Sequence, residues 1–232
     1  MIYWQLALSF IIGYVFGMFK TGPVLAKVRG IDLSKTGSGN TGMTNTMRAL
    51  GKKVGIWAFV GDTLKVIIPV FITYFLFAKS GQPYPHGEHV LAFIIVTAFG
   101  GVLGDMFPFY NGFKGGKGVS STSGMILAIL FLTGDWKFTV LGLAVFFSTM
   151  FITRYVSVGS LTLVVSIFIE FVVWGQLNMI YSLDKNASIK ERLLIYGILF
   201  AIMILMFIRH RDNLKRLANG TENKIGQKKE DK

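Results

Sequence analysis

Four polar stretches hold residue types that can do chemistry. The first runs Gly37-Ser38-Gly39-Asn40-Thr41-Gly42-Met43-Thr44-Asn45-Thr46-Met47-Arg48. Glycines let backbone N–H groups turn toward an anion. The hydroxyls of Ser38, Thr41 and Thr44 add donors, and Asn40 and Asn45 can donate or accept. Arg48 supplies a fork that fits phosphate. The plain alternative is a flexible linker with helix caps, but a linker needs neither paired Asn nor a terminal Arg. No Gly-Lys-Ser/Thr closes the run, so it is not a Walker A loop.

The second stretch, Phe113-Lys114-Gly115-Gly116-Lys117-Gly118, repeats that logic with two lysines. A helix starting near Val119 would aim its positive end at the loop and favour an anion there. A basic interfacial turn anchored to lipid headgroups is the alternative. Just before it stands Asp105, which could serve as a general base, a hydrogen-bond orienter or a solvated cap. The third stretch is Arg154-Tyr155-Val156-Ser157-Val158-Gly159-Ser160, and the fourth is Arg209-His210-Arg211-Asp212-Asn213. If a helix continues through the fourth, His210 and Asn213 share a face at i, i+3. His210 could then orient or deprotonate a hydroxyl.

Several chemistries are excluded. The chain has no cysteine, so disulfides, thiolate catalysis and Cys-ligated metals are out. It has no Gly-x-Ser-x-Gly elbow, no His-x-x-x-x-Asp box and no metal-ligand cluster. No metal or other cofactor is expected. Such a protein brings charge and position rather than a nucleophile.

Positioning these stretches falls to strongly apolar elements. Of 232 residues, 52% are hydrophobic and 16% charged, against about 25% charged in soluble domains. Mean hydropathy is +0.56. Apolar runs near the length that crosses a bilayer recur along the chain, and in lipid they must be helices. The expected fold is all-α and polytopic, with seven transmembrane helices at about Ile2–Phe19, Val54–Phe77, Val90–Phe109, Ser123–Thr133, Phe138–Thr153, Leu161–Leu177 and Leu193–Ile208. The fourth run reaches across only if its Ser/Thr-rich start joins the helix. The first reads as a retained span rather than a cleaved signal, since no Lys or Arg precedes Lys20. Residues 1–208 form one membrane domain, and 209–232 form a basic tail.

Net charge is +12, from 24 Lys and Arg against 12 Asp and Glu. With seven spans, 18 of those cations fall on one side and five on the other, while Lys65 lies inside a span. The positive-inside bias then sets the N-terminus outside and the C-terminus in the cytoplasm. All four polar stretches face the cytoplasm, and His86 and His89 fall on the opposite side without a role. Asp62 and Lys65, at i, i+3 within span two, are either functional or a mutual ion pair.

These motifs, in this order and spacing, resemble the bacterial acyl-phosphate:glycerol-3-phosphate acyltransferases. The match takes in Gly37-Ser-Gly-Asn-Thr-Gly-Met-Thr-Asn with Arg48-Ala-Leu-Gly-Lys-Lys, Gly112-Phe-Lys-Gly-Gly-Lys-Gly-Val, Arg154-Tyr-Val-Ser-Val-Gly-Ser and Arg209-His-Arg-Asp-Asn. The resemblance implies a seven-span enzyme of the bacterial inner membrane with a cytoplasmic active site. Its partners would be acyl-phosphate, glycerol 3-phosphate and membrane lipid, not nucleic acid; it leaves the oligomeric state open. The acyl chain would pass to the 1-hydroxyl of sn-glycerol 3-phosphate, giving lysophosphatidic acid and phosphate. By position, Ser38, Gly39, Asn40, Thr44, Asn45, Arg48, Lys114, Gly115, Gly116, Lys117, Ser157 and Ser160 would form the phosphate-binding set. His210, Asn213 and Asp105 would be catalytic, with His210 and Asn213 engaging the attacking hydroxyl. In the family a histidine usually stands where this chain has Asp105, and an alanine where it has Met43. Two alternatives stay open: a transporter or binding protein for organic phosphates, and an inactive homologue, which Asp105 in particular keeps alive.

Overall fold

The computed structural model describes residues 2–78, 89–183, 185 and 187–226. Within them ten α-helices follow one another: α1 (Ile2–Gly17), α2 (Thr21–Lys27), α3 (Met43–Leu50), α4 (Lys52–Thr73), α5 (Val90–Met106), α6 (Val119–Thr133), α7 (Trp136–Thr153), α8 (Val156–Gln176), α9 (Ile189–Arg209) and α10 (Arg211–Ala218). Six helical stretches are long and apolar enough to cross a membrane, one of them α1 running on into α2. The chain is a multi-pass, all-helical membrane protein. The expected fourth span appears as α6, which is apolar but shorter. Its Ser/Thr-rich start does belong to the helix.

Helix α5 is the centre of the bundle and is buried along nearly its whole length. Small residues explain how α1 crosses it so closely. Gly13 and Gly17 on α1 face Gly100 and Gly104 on α5, each pair at the i, i+4 spacing that lets membrane helices touch backbone to backbone. A Cβ on Gly104 would lie 2.2 Å from the Tyr14 carbonyl oxygen, and one on Gly17 would lie 2.1 Å from that of Gly101. The crossing has a functional consequence. Gly17 stands three residues before Lys20 and Gly104 directly before Asp105, so the crossing delivers those two side chains to each other.

The far end of the bundle is tied by a different carboxylate. Asp135, fully buried, accepts from the Tyr181 and Ser182 backbone amides at 3.1 and 3.2 Å and from the Ser182 hydroxyl at 3.2 Å. Phe138 stacks on Phe171 at 4.0 Å between centroids just inside. His89, given no role from the sequence, pairs with Glu191 at 2.8 Å. His86 lies outside the described residues.

Three boundaries differ from expectation. The first polar stretch is not all loop, because Met43 to Arg48 lies in α3. The third is not a loop between spans either: α8 starts at Val156 rather than Leu161, so Ser157 and Ser160 sit on its first turns. The last span does not continue unbroken through the fourth stretch. It stops at His210 (φ −97, ψ 6), and the chain re-enters helix as α10.

Candidate active site

Asp105 closes α5 and stands where three segments meet. Its Oδ1 takes Lys20 Nζ and Lys65 Nζ, both at 2.7 Å. Lys65 also pairs with Asp62 at 3.2 Å and donates to the Phe19 carbonyl at 2.9 Å. Asp62 in turn accepts from the Thr21 amide at 3.3 Å. Lys20 donates as well to the Asp105 carbonyl. Asp62 and Lys65 are thus a mutual pair, but one drawn into a four-membered buried network. Such a network must be satisfied, since removing one charge leaves its partner unpaired in a low-dielectric site.

The second glycine stretch is wrapped onto the same aspartate. The Asp105 carbonyl accepts from the Gly116 amide at 2.8 Å, and its Oδ2 accepts from the Gly118 amide at 3.1 Å. On the other side Arg209 donates to the carbonyls of Gly115 and Gly116 at 2.6 and 3.1 Å, its guanidinium 5.5 Å from the Phe107 ring centroid. From the sequence, these glycines read as an anion nest. The structure corrects this for Gly116 and Gly118, whose amides already serve Asp105. The glycines are needed for room: a Cβ on Gly115 would sit 2.1 Å from the Asp105 carbonyl oxygen, and one on Gly116 would sit 2.5 Å from Asp105 Oδ2.

Lys117 lies between the two tethered amides, and its Nζ donates to Asn213 Oδ1 on α10. Asn213 Nδ2 donates onward to Glu222 Oε1 at 2.7 Å. The same carboxylate accepts from Ser157 at 3.2 Å and from Arg216 Nε at 2.7 Å. Burial and the nearby Arg216 charge lower the Lys117 pKa to about 8, against the pull of Glu222. His210, 2% exposed, bonds the Met206 carbonyl through Nδ1 at 2.8 Å. A carbonyl can only accept, so Nδ1 carries the proton and Nε2 keeps its lone pair. Burial, with the Lys117 charge behind it, holds the ring near pKa 4, so it is neutral at physiological pH.

The first stretch is built differently. Asn45, 2% exposed, braces it from within. Its Oδ1 accepts from the Ser38 amide at 2.9 Å, and its Nδ2 donates to the Thr36 and Leu33 carbonyls at 2.9 and 3.2 Å. Asn45 therefore shapes the loop and has no hand free for a ligand. Among the described residues, the side chains of Ser38, Asn40, Thr44 and Arg48 make no hydrogen bond or ion pair, and Ser38, Gly39 and Arg48 are exposed. Lys114 is exposed and uncommitted in the same way. Ser160 bonds its own helix at the Val156 carbonyl, 2.9 Å away, and stays outside the Glu222 network.

The structure thus joins Asp105, Gly116, Lys117, Asn213 and Ser157 at one end of the bundle, with His210 adjoining. Four residues of that assembly carried no role in the sequence reading: Lys20, Arg209, Arg216 and Glu222. For Glu222 a signal did exist, as the only acidic residue between Asp212 and Glu230 in a basic tail.

Residues 7–220 match the family described as glycerol-3-phosphate acyltransferase. The chain belongs to that family. The acyltransferase of Clostridioides difficile (strain 630) is 37% identical over 222 residues, covering 95% of each chain. That of Aquifex aeolicus (strain VF5) is 36% identical, covering 93% of this chain and 96% of the relative. Among solved structures, the glycerol 3-phosphate form of PlsY (YgiH), an integral membrane glycerol 3-phosphate acyltransferase, superposes with a TM-score of 0.76 at 33% identity, covering 95% of this chain and 96% of that one. Its lysophosphatidic acid form gives 0.72 at 32%. The protein is therefore an acyltransferase, and the transporter alternative falls.

Proposed function

We propose that this acyltransferase passes a fatty acyl group from acyl-phosphate to the 1-hydroxyl of sn-glycerol 3-phosphate at the cluster around Lys117. The observation that carries this reading is the meeting at Asp105. There Lys20, which precedes the first polar segment, and Gly118 of the second hold the same carboxylate, while Gly116 donates to the Asp105 backbone carbonyl. Two cation-bearing segments thus flank one end of the bundle, and the two substrates each bring a phosphate.

In this reading Ser38, Asn40, Thr44 and Arg48 are the uncommitted donors that take one phosphate. Lys117, backed by Asn213, takes the other, with Lys114 at its edge. Ser157 and Glu222 fix Asn213 and the Arg216 charge beside it. The glycerol oxygen attacks the acyl carbonyl carbon, and the bond from that carbon to the phosphate oxygen breaks. Negative charge moves onto the departing phosphate, where the cation of the segment that holds it stabilises it. The hydroxyl proton goes to a substrate phosphate oxygen, or to His210 Nε2, which is neutral and free to accept. An acyl-phosphate is already activated, so proximity and charge supply most of what is needed.

The same reading makes α6 a seventh crossing, although its 15 residues rise only about 22 Å. One end begins beside Lys117, and the other ends beside Asp135, which ties the far side. Charge bias then puts the reacting end in the cytoplasm and the N-terminus outside. The host membrane is the bacterial inner membrane, residues 1–208 form the membrane domain, and 209–232 form the tail that supplies Asn213 and Glu222.

Purified protein in lipid should release phosphate from palmitoyl-phosphate only when glycerol 3-phosphate is present. Acyl-CoA should not replace the acyl-phosphate. Absence of release from folded protein would remove this reading.

A further inference from the structure

We infer that Asp105 is a positioning residue: its carboxylate, by accepting from the Gly118 amide, aims Lys117 at the reacting groups. The inference rests on the reading of Lys117 as a phosphate ligand and adds what sets its direction.

Lys117 lies between two amides that both terminate on Asp105. Gly116 N–H ends on the Asp105 carbonyl and Gly118 N–H on Oδ2. The Gly115 and Gly116 carbonyls are held from the opposite side by Arg209. With the backbone on both flanks pinned, the Lys117 side chain leaves the loop in one direction, toward Asn213. Glycine at 115 and 116 is what lets the loop lie this close to the aspartate.

Asp105 can hold the loop only while its own charge is held. Lys20 and Lys65 do that through Oδ1, which leaves Oδ2 for Gly118. Two lysines and two aspartates balance in a site closed to water. A neutral residue at 105 would leave one cation in excess. Asp105→His, with a single acceptor nitrogen and no negative charge, should therefore lower activity rather than raise it. A gain in rate on that substitution would overturn the inference.

The charge role and the acceptor role can be separated with two double variants. D105N/K20M and D105A/K20M are both balanced, keeping Asp62 against Lys65. Only the first keeps an oxygen for the Gly118 amide. In phosphate-release assays on purified protein in lipid, D105A/K20M should fall about 100-fold below D105N/K20M in kcat/KM for glycerol 3-phosphate, since small misplacement of a binding group costs that much. The alkaline limb of the rate tracks Lys117. It should move to higher pH in D105A/K20M, because a lysine released from the pocket recovers solvent, and a merely architectural role would leave the limb in place.

Equal rates in the two double variants would overturn the inference, whether both are high or both low. So would failure of both to fold, since Asp105 would then be a determinant of the fold alone. Lys117→Gln separates this from the reading beneath it. If that variant keeps wild-type kcat/KM, Lys117 is not a phosphate ligand and the site assignment fails first. If it loses activity while D105A/K20M does not, only the positioning inference fails.

Discussion

The two glycine-rich segments look alike in the sequence and do opposite things in the structure. Around Gly37 and Gly39 the chain is exposed, its backbone is braced from inside by Asn45, and the Ser38 and Arg48 side chains are exposed without hydrogen-bond partners. From Gly115 to Gly118 the chain is packed against Asp105, the Gly116 and Gly118 amides are consumed, and one side chain, Lys117, is projected into a polar network. In the first, glycine supplies the left-handed turns at Gly37 and Gly39. In the second, glycine makes room for the Asp105 carboxylate. On the proposed function, the same residue type marks a ligand-facing loop in one case and a ligand-aiming scaffold in the other.

Removing Lys117 should break the second segment most completely. Lys117→Ala deletes a cation in a closed site and leaves Asn213 and Glu222 without it. Loss of one preorganised donor at a reacting charge typically costs between about 10²- and 10³-fold. Steady-state kcat/KM for both substrates measures this, and a loss below tenfold would place the reacting phosphate elsewhere.

Glycine substitutions test the contrast directly. Gly115→Ala puts a methyl 2.1 Å from a backbone oxygen that cannot move without α5. We expect a loss of about 10²-fold through displacement of the loop. Gly37→Ala sits at φ +62 and meets the Asn45 side-chain oxygen at 2.3 Å, and that oxygen can shift. Strain of this kind costs about 1–3 kcal/mol, and the measured effect should stay below that of Gly115→Ala. If the order reverses, the two segments have exchanged roles.

How much of this was legible follows from the range of each signal. Apolar runs gave the helices, because span length is a local property. The polar stretches were visible for the same reason, and so was the inward-facing pair Asp62 and Lys65. Glu222 was missed because its partners, Ser157 and Asn213, reach it through a fold that a single sequence does not display. Lys20 was counted as a cytoplasmic cation, and nothing near it in the chain announces Asp105, 85 positions on. The Gly115–Gly118 run was seen but misread. Glycine serves equally for a free amide or for close approach, and only the neighbour decides which. The start of α8 was misplaced because Val156, Ser157 and Val158 have weak helix propensity and read as loop.

Arg48→Ala should sharpen the contrast from the other side. The side chain is exposed and uncommitted, so its loss should leave the thermal midpoint of the purified protein unchanged. It should raise KM about tenfold, the scale of one charge-assisted contact. A drop in thermal midpoint comparable with that of Gly115→Ala would show that the first segment is structural too.

The smallest effect concerns pH. The informative window runs from neutral to mildly alkaline pH. Lys117, with its pKa lowered to about 8 by burial and the Arg216 charge, is the group on the second segment that titrates there. A lysine is a cation below its pKa and neutral above it, so phosphate binding by this segment is intact below pH 8 and lost as pH rises through it. His210, held near pKa 4, is neutral across that range and adds no limb between pH 6 and 9. Activity at subsaturating glycerol 3-phosphate should fall about twofold between pH 6.5 and 8, the point of half-protonation. Replacing Lys117 with arginine should push that limb beyond pH 10, while Arg48→Lys should leave it where it is. A limb that follows Arg48→Lys instead would assign the titrating cation to the first segment and undo the contrast.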